Sequence, residues 1–155
     1  MKSLVIYYSL EGNCELIANL IKAEFGSDIL RLKPIVDLKT HGLLRYAWGG
    51  KQALMKEKPE LEKININLAE YELFIIGTPV WGFTFTPAIN TFLSENKIEN
   101  KKVFLFCTHA GVKGNTLNNL KKSLPKNEFL GQEEFYNPLQ QNRAELIKKI
   151  KNLPL

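Results

Sequence analysis

The sequence has little cysteine and no long apolar run. Its 155 residues include two cysteines, Cys14 and Cys107, which form neither a CxxC motif nor a zinc-binding pattern. We therefore expect two reduced, buried thiols and no metal site. No apolar stretch approaches the roughly 20 residues that cross a bilayer, and the N-terminus lacks the small-residue cleavage site of a signal peptide. These absences predict a cytoplasmic protein without a membrane partner.

Several phosphate-binding motifs are also missing. The chain contains neither GxxxxGK[ST] nor GxGxxG, which argues against a P-loop NTPase and against a dinucleotide fingerprint. A low-molecular-weight phosphatase loop needs arginine six residues after its cysteine, but Leu20 and Lys113 occupy those positions. A response-regulator receiver needs an acidic pair after its first strand, and Tyr8-Ser9 is not acidic.

Positive charge is concentrated in the second part of the chain. The net charge of +5 divides into −1 over residues 1–96 and +6 over residues 97–155. The lysines of the second part are scattered or paired, without an arginine-rich run or interleaved aromatic residues. We therefore expect a solvated basic face and no nucleic-acid partner.

Apolar runs alternate with amphipathic stretches along the chain. Strands are predicted over 2–8, 28–33, 72–77, 102–108 and 127–136. Helices are predicted over 13–25, 38–58, 87–95, a stretch ending near 123, and 139–152. Because apolar strands in repeated βα units are typical of parallel sheets covered on both faces, the pattern predicts a single α/β domain over residues 1–155. Its architecture is expected to be a three-layer, doubly wound, five-stranded parallel sheet.

In such a sheet, ligands bind beyond the carboxyl ends of the strands, and three loops follow predicted strands. The first loop consists of Ser9, Leu10, Glu11, Gly12, Asn13 and Cys14. It leads into a helix, whose unpaired N–H groups and partial positive charge attract an anion. The alternative is an ordinary helix start, with Ser9 or Asn13 as the capping residue.

The other two loops carry aromatic and small residues. The second loop contains Thr78, Pro79, Val80, Trp81, Gly82, Phe83, Thr84, Phe85 and Thr86. Its aromatic side chains either offer a flat wall to a heteroaromatic ring or pack over the end of the sheet. The third loop begins with Thr108, His109, Ala110 and Gly111. There, His109 either covers or hydrogen-bonds a ligand ring, or lies in solvent.

Together the three loops resemble the flavodoxin family over nearly the whole chain. Tyr8 and residues 9–14 resemble its phosphate loop, usually written [ST]-x-T-G-N-T, and residues 76–82 resemble the loop that supplies an aromatic stacker followed by glycine. Residues 106–111 resemble the loop on the other side of the ring. The RYxxGGxxAL segment at residues 45–54 is similar to one in short flavodoxin-like proteins.

The resemblance implies the flavodoxin-like strand order 2-1-3-4-5 and FMN as the cofactor. Residues 9–14 would bind its phosphate, Trp81 would stack on the isoalloxazine, and the peptide at Gly82 would flip to bond the flavin N5. Residues 108–111 would line the pyrimidine side.

Three positions depart from the family pattern. Cys14 and Glu11 replace threonines, so we expect weaker FMN binding and a Glu11 side chain that points to solvent. No tyrosine follows Thr108 to cover the second flavin face, which favours a face open to substrate. A reactive Cys14 thiolate at the helix start is a further hypothesis.

The resemblance implies electron transfer, with a redox partner protein or a small-molecule acceptor. One alternative is an FMN-dependent NAD(P)H oxidoreductase of the quinone- or flavin-reductase type. Another is a non-catalytic module that has lost FMN. The sequence pI near 9.1 differs from the acidic character of typical electron-shuttling flavodoxins.

Overall fold

The computed structural model describes residues 1–37 and 57–155. Its strands are β1 (Ser3–Tyr7), β2 (Asp28–Arg31), β3 (Leu73–Pro79), β4 (Lys102–His109) and β5 (Glu128–Tyr136). Its α-helices are α1 (Asn13–Phe25), α2 (Pro87–Glu95), α3 (Thr116–Lys122) and α4 (Arg143–Lys151). Two short 3-10 turns, Leu68–Glu70 and Pro138–Gln140, precede β3 and α4. The helix predicted over 38–58 falls almost wholly outside the described residues, as does the RYxxGGxxAL segment.

The five strands form one parallel sheet in the order β2-β1-β3-β4-β5. Helices α1 and α4 pack on one face of this sheet, and α2 and α3 pack on the other. The predicted α/β fold class and the strand order 2-1-3-4-5 are therefore confirmed.

Each central strand contributes to both apolar layers. In β1, Leu4 and Ile6 face the α2–α3 layer, whereas Val5 and Tyr7 face the α1–α4 layer, and all four are buried. A strand covered on both faces must be apolar at every position, which explains the continuous apolar run in the sequence.

Gly77 allows β3 and β4 to approach closely at their carboxyl ends. A Cβ atom at this position would overlap the ring of Phe106, which lies across β3 from the neighbouring strand. The missing side chain therefore lets a large aromatic ring fill the layer directly beneath the loops of interest.

The C-terminal elements differ in detail from the prediction. The final helix was expected over 139–152, but α4 begins only at Arg143. Asn137 has a left-handed backbone and starts a 3-10 turn, and Asn142 then caps α4 by accepting a hydrogen bond from the Ala144 N–H at 2.9 Å. The buried residues of the helix, Leu146 and Ile150, lie after this turn, so their spacing does not show where the helix begins. Within the described ranges, no helix is long and apolar enough to span a membrane.

Candidate functional site

A cleft of about 280 Å³ opens beyond the carboxyl ends of β1, β3 and β4. It lies between β1 and β3, where the chain runs from β1 to β2 on one side and from β3 to β4 on the other, the position at which doubly wound sheets bind ligands. The cleft is lined by Ser9, Leu10, Glu11, Asn13, Cys14, Pro79, Val80, Trp81, Gly82, Thr108, His109, Ala110 and Asn137. The structure thus brings twelve of the sixteen predicted residues together.

The other four predicted residues do not line the cleft. Gly12 is the N-cap of α1. The buried Thr78 accepts a hydrogen bond from the Thr86 N–H at 3.1 Å, which joins the two ends of the second loop. Phe83 is 65% exposed and lines a neighbouring groove, and Gly111 is exposed.

The start of α1 has no side-chain cap. Gly12 occupies the N-cap position with φ 97°, a left-handed conformation that suits glycine. Ser9 Oγ accepts a hydrogen bond from the Gly12 N–H at 3.1 Å, and Asn13 Oδ1 accepts one from the Leu139 N–H at 3.2 Å. The alternative of a helix capped by Ser9 or Asn13 is therefore wrong. Among residues 1–37 and 57–155, no side chain caps the first N–H groups of the helix, and such groups suit an anionic ligand.

Two residues at this site were missed by the sequence analysis. The Arg31 guanidinium donates to the Ser9 carbonyl at 2.9 Å and pairs with Glu15 at 3.0 Å. Asn137 comes from the end of β5 and lies on the cleft wall. Arg31 ends β2 and Asn137 follows β5. A place at the end of a strand was the available signal in the sequence, but it does not identify the partners of either residue.

Cys14 is buried against the third loop. Its Sγ lies 3.1 Å from Thr108 Oγ1, and the side chain is 1% exposed. Burial raises the pKa of the Cys14 thiol, and it raises that of Cys107 to about 12. The two thiols are unpaired and buried, as predicted, and the hypothesis of a reactive Cys14 thiolate is contradicted.

Trp81 packs against Tyr8. The two rings meet edge to face, with centroids 5.3 Å apart, and the Tyr8 hydroxyl donates to Asp37 Oδ1 at 2.6 Å. Burial and this bond raise the pKa of Tyr8, so its hydroxyl stays a donor. Backbone bonds of 3.0 and 3.1 Å between Trp81 and Thr84 close the loop, and the indole forms a fixed apolar wall.

Opposite this aromatic wall, His109 is paired with a carboxylate. Its side chain is 9% exposed, and Nε2 lies 3.0 Å from Glu134 Oε2. Lys113 donates to the other oxygen of Glu134 at 2.9 Å and holds the pKa of that carboxyl below its usual range. The alternative that His109 lies in solvent is therefore wrong. Glu11 is exposed and lines the cleft.

The lining of the cleft combines a helix start with aromatic and polar side chains. Among residues 1–37 and 57–155, no cluster of His, Cys, Asp and Glu side chains could hold a metal ion. An uncapped helix start, a flat indole and a buried imidazole meet at one edge of the sheet. A doubly wound protein that binds an anionic aromatic ligand is the class that this fold and site define.

A family model for flavodoxin matches residues 2–148. Because the match extends over nearly the whole sequence, the chain belongs to the flavodoxin family. No curated protein matches the chain significantly.

Solved structures show the same fold. A protein from Bacteroides eggerthii superposes with a TM-score of 0.78 at 22% identity, covering 99% of this chain and 98% of that chain. A flavoprotein from Lactobacillus acidophilus, crystallised in complex with FMN, has a TM-score of 0.74 at 25% identity, covering 86% of this chain and 92% of that chain. Two-electron reduced flavodoxin from Megasphaera elsdenii has a TM-score of 0.62 at 17% identity, covering 96% of both chains.

Proposed function

We propose that this protein binds FMN and transfers electrons as a flavodoxin-type carrier. The observation that carries the proposal is the meeting, in one cleft, of an uncapped α1 N-terminus and the Trp81 indole. The first suits a phosphate and the second suits a flat heteroaromatic ring. Membership of the flavodoxin family and the FMN complex of the L. acidophilus protein support the same cofactor.

The backbone of residues 9–14 is the proposed phosphate site. Its N–H groups are directed by the φ of 97° at Gly12, and Arg31 holds the loop through the Ser9 carbonyl. Backbone donors at a helix N-terminus neutralise an anion without a cationic side chain in the loop. The side chains at Leu10, Glu11 and Cys14 therefore do not supply the main attraction.

The two facing loops are the proposed ring site. Trp81 would stack on the ring system, and Gly82, with φ 55°, can change its peptide orientation at little steric cost. Residues 108–111 would lie along the polar edge of the ring. When bound, FMN supplies the capacity to accept and donate electrons, while the chain orients it and limits its contact with water.

The redox partner is proposed as a protein or a small-molecule acceptor. The absorption spectrum of the purified protein, before and after addition of FMN, tests cofactor binding. A flavin spectrum that remains with the protein through gel filtration is the expected result. A colourless protein that leaves the spectrum of added FMN unchanged would overturn the proposal.

Activity assays separate a carrier from an enzyme. A carrier accepts electrons from a reductase and passes them to an acceptor protein, but gives no sustained oxidation of NADPH by quinone when it is the sole protein. Rapid turnover in that mixture would assign the chain to the oxidoreductases instead.

A further inference from the structure

His109 carries an unsatisfied polar atom at the cleft. Nδ1 is shielded from solvent and has no hydrogen-bond partner in the parts of the chain that are described. Buried polar atoms in folded proteins nearly always have partners, because an unmet bond is unfavourable. His109 is one of the residues that line the proposed flavin site, so the unmet hydrogen bond belongs to a residue of that site.

Glu134 determines which nitrogen of the ring is free to take a proton. Its carboxylate accepts hydrogen bonds from Lys113 and from Nε2 of His109. An ionised carboxylate can only accept, so Nε2 carries a hydrogen atom. A neutral imidazole then has its lone pair at Nδ1, and this atom is the single position at which the ring can gain a proton.

The charged side chains around a neutral His109 form two ion pairs with no net charge. Glu134 and Tyr136 face it from β5, and the Tyr136 ring lies 5.8 Å from the imidazole. Lys113 pairs with Glu134 at 2.9 Å. From α4, Lys149 pairs with Glu133 at 3.1 Å. Two carboxylates are thus matched by two ammonium groups, and a proton on His109 adds one uncompensated positive charge beside the cleft.

Cys107 also lies in this region, two residues before His109 on β4. Its thiol interacts electrostatically with Glu134 and Lys113. Because burial keeps this thiol protonated, it contributes no charge at neutral pH. Among these neighbouring side chains, the imidazole of His109 is the one that keeps a nitrogen lone pair free to take a proton.

We propose that His109 gains a proton at Nδ1 when bound flavin is reduced, and that Glu134 is the positioning residue that fixes the imidazole. The inference rests on the proposed FMN binding. Two electrons from a reductant such as dithionite and one proton from water give a reduced flavin with one added negative charge. A second proton from water forms the Nδ1–H bond, and no bond of the protein breaks. The new imidazolium balances the added charge in a site partly shielded from water.

Nuclear magnetic resonance of ¹⁵N-labelled histidine tests the inference directly. The chain has two histidines, His41 and His109, so a His41→Gln variant leaves one imidazole signal. We expect the apo protein to show the Nε2–H tautomer at high pH. In the FMN-loaded protein, dithionite should move the titration midpoint of His109 to higher pH, with proton affinity rising about tenfold. An unchanged midpoint on reduction would overturn the inference.

Potentiometry supplies a second measurement, with a matched pair of variants. In wild-type protein, the reduction potential should depend more steeply on pH than in His109→Gln, which cannot take up the second proton. Glu134→Gln should keep FMN bound but weaken this coupling, because the amide can present its N–H to Nε2 and so select the other tautomer. Equal pH slopes in wild type and His109→Gln would contradict proton uptake by His109.

The failure of this inference is distinguishable from failure of the proposed function. Loss of the flavin spectrum from wild-type protein would show that FMN does not bind. Retained flavin with a His109 signal insensitive to reduction would leave FMN binding intact and remove only the proton-accepting role.

Discussion

The two sides of the cleft are built in different ways. The phosphate side is made by the main chain, with a left-handed Gly12 and an uncapped helix start. The ring side is made by side chains, since Trp81 is braced by Tyr8 and His109 is held by Glu134. The difference explains how the first loop can depart from the family threonines, because backbone N–H groups do not depend on side-chain identity.

The comparison predicts where substitutions act. On the phosphate side, substitutions that alter φ should raise the Kd for FMN, whereas substitutions that change only side-chain chemistry should leave it nearly unchanged. On the ring side, truncation of a single aromatic or imidazole ring should raise the Kd for FMN. Four experiments test this division, and the expected effects decrease from the first to the last.

The largest expected effect is on the rate at which the two thiols react with a thiol reagent. A pKa of about 12 for Cys107 lowers its thiolate fraction at pH 8 by about three orders of magnitude relative to a free cysteine, and burial raises the pKa of Cys14 in the same direction. Ellman's reagent should therefore react with neither thiol in the native protein and with both in guanidinium. Rapid labelling of native Cys14 would show that the backbone-built side has a chemically active side chain.

Trp81→Ala should raise the Kd for FMN roughly tenfold to hundredfold, because stacking on an aromatic ring contributes about 1–3 kcal/mol. Quenching of flavin fluorescence measures the affinity. Phe83→Ala is the matched control, since Phe83 is exposed and faces the neighbouring groove. Equal losses of FMN affinity in the two variants would contradict the assignment of Trp81 as the residue that stacks on the flavin.

Gly12→Ala should raise the Kd for FMN about fivefold to thirtyfold, because a side chain in the left-handed conformation costs about 1–2 kcal/mol; the free loop can relieve this strain by changing conformation, but the bound loop must keep the conformation that directs its N–H groups. Gly26→Ala is the control for backbone strain, since Gly26 has φ 69° at the other end of α1, with no atom within 4 Å of an added Cβ. Both variants should lower Tm, but affinity should fall only for Gly12→Ala. A matching loss of affinity in Gly26→Ala would mean that helix strain alone weakens binding.

Cys14→Ser should change the Kd for FMN by less than about threefold, because a hydroxyl can keep the buried contact with Thr108, so that no hydrogen bond is gained or lost on binding. Isothermal titration calorimetry measures the difference. A tenfold gain in affinity would show that the side chain at this position bonds the phosphate, contrary to the backbone-built character of this side.

Much of the fold followed from local pattern. The apolar runs at residues 2–8 and 102–108 predicted β1 and β4, and Gly26 marked the end of α1. The start of α4 was not predictable in the same way, because Asn137 and Asn142 acquire their roles from a turn that the apolar spacing does not reveal.

The candidate site shows the same limit. Trp81 and the first loop stood out because aromatic residues and a glycine follow strands. Arg31 and Glu134 did not, because their partners Ser9 and His109 are distant in sequence. Ion pairs and hydrogen bonds of this kind have no periodic signature, so sequence spacing cannot locate them.

The sequence by itself determined the layered α/β fold and the three loops that meet at one edge, because strand burial, helix periodicity and glycine placement are local physical requirements. Only the tertiary structure decided that Cys14 turns toward Thr108 and that Glu134 binds Nε2 of His109, leaving Nδ1 buried without a partner in the described residues. Burial and electrostatic pairing depend on distances between segments far apart in the chain, and those distances exist only once the sheet has assembled.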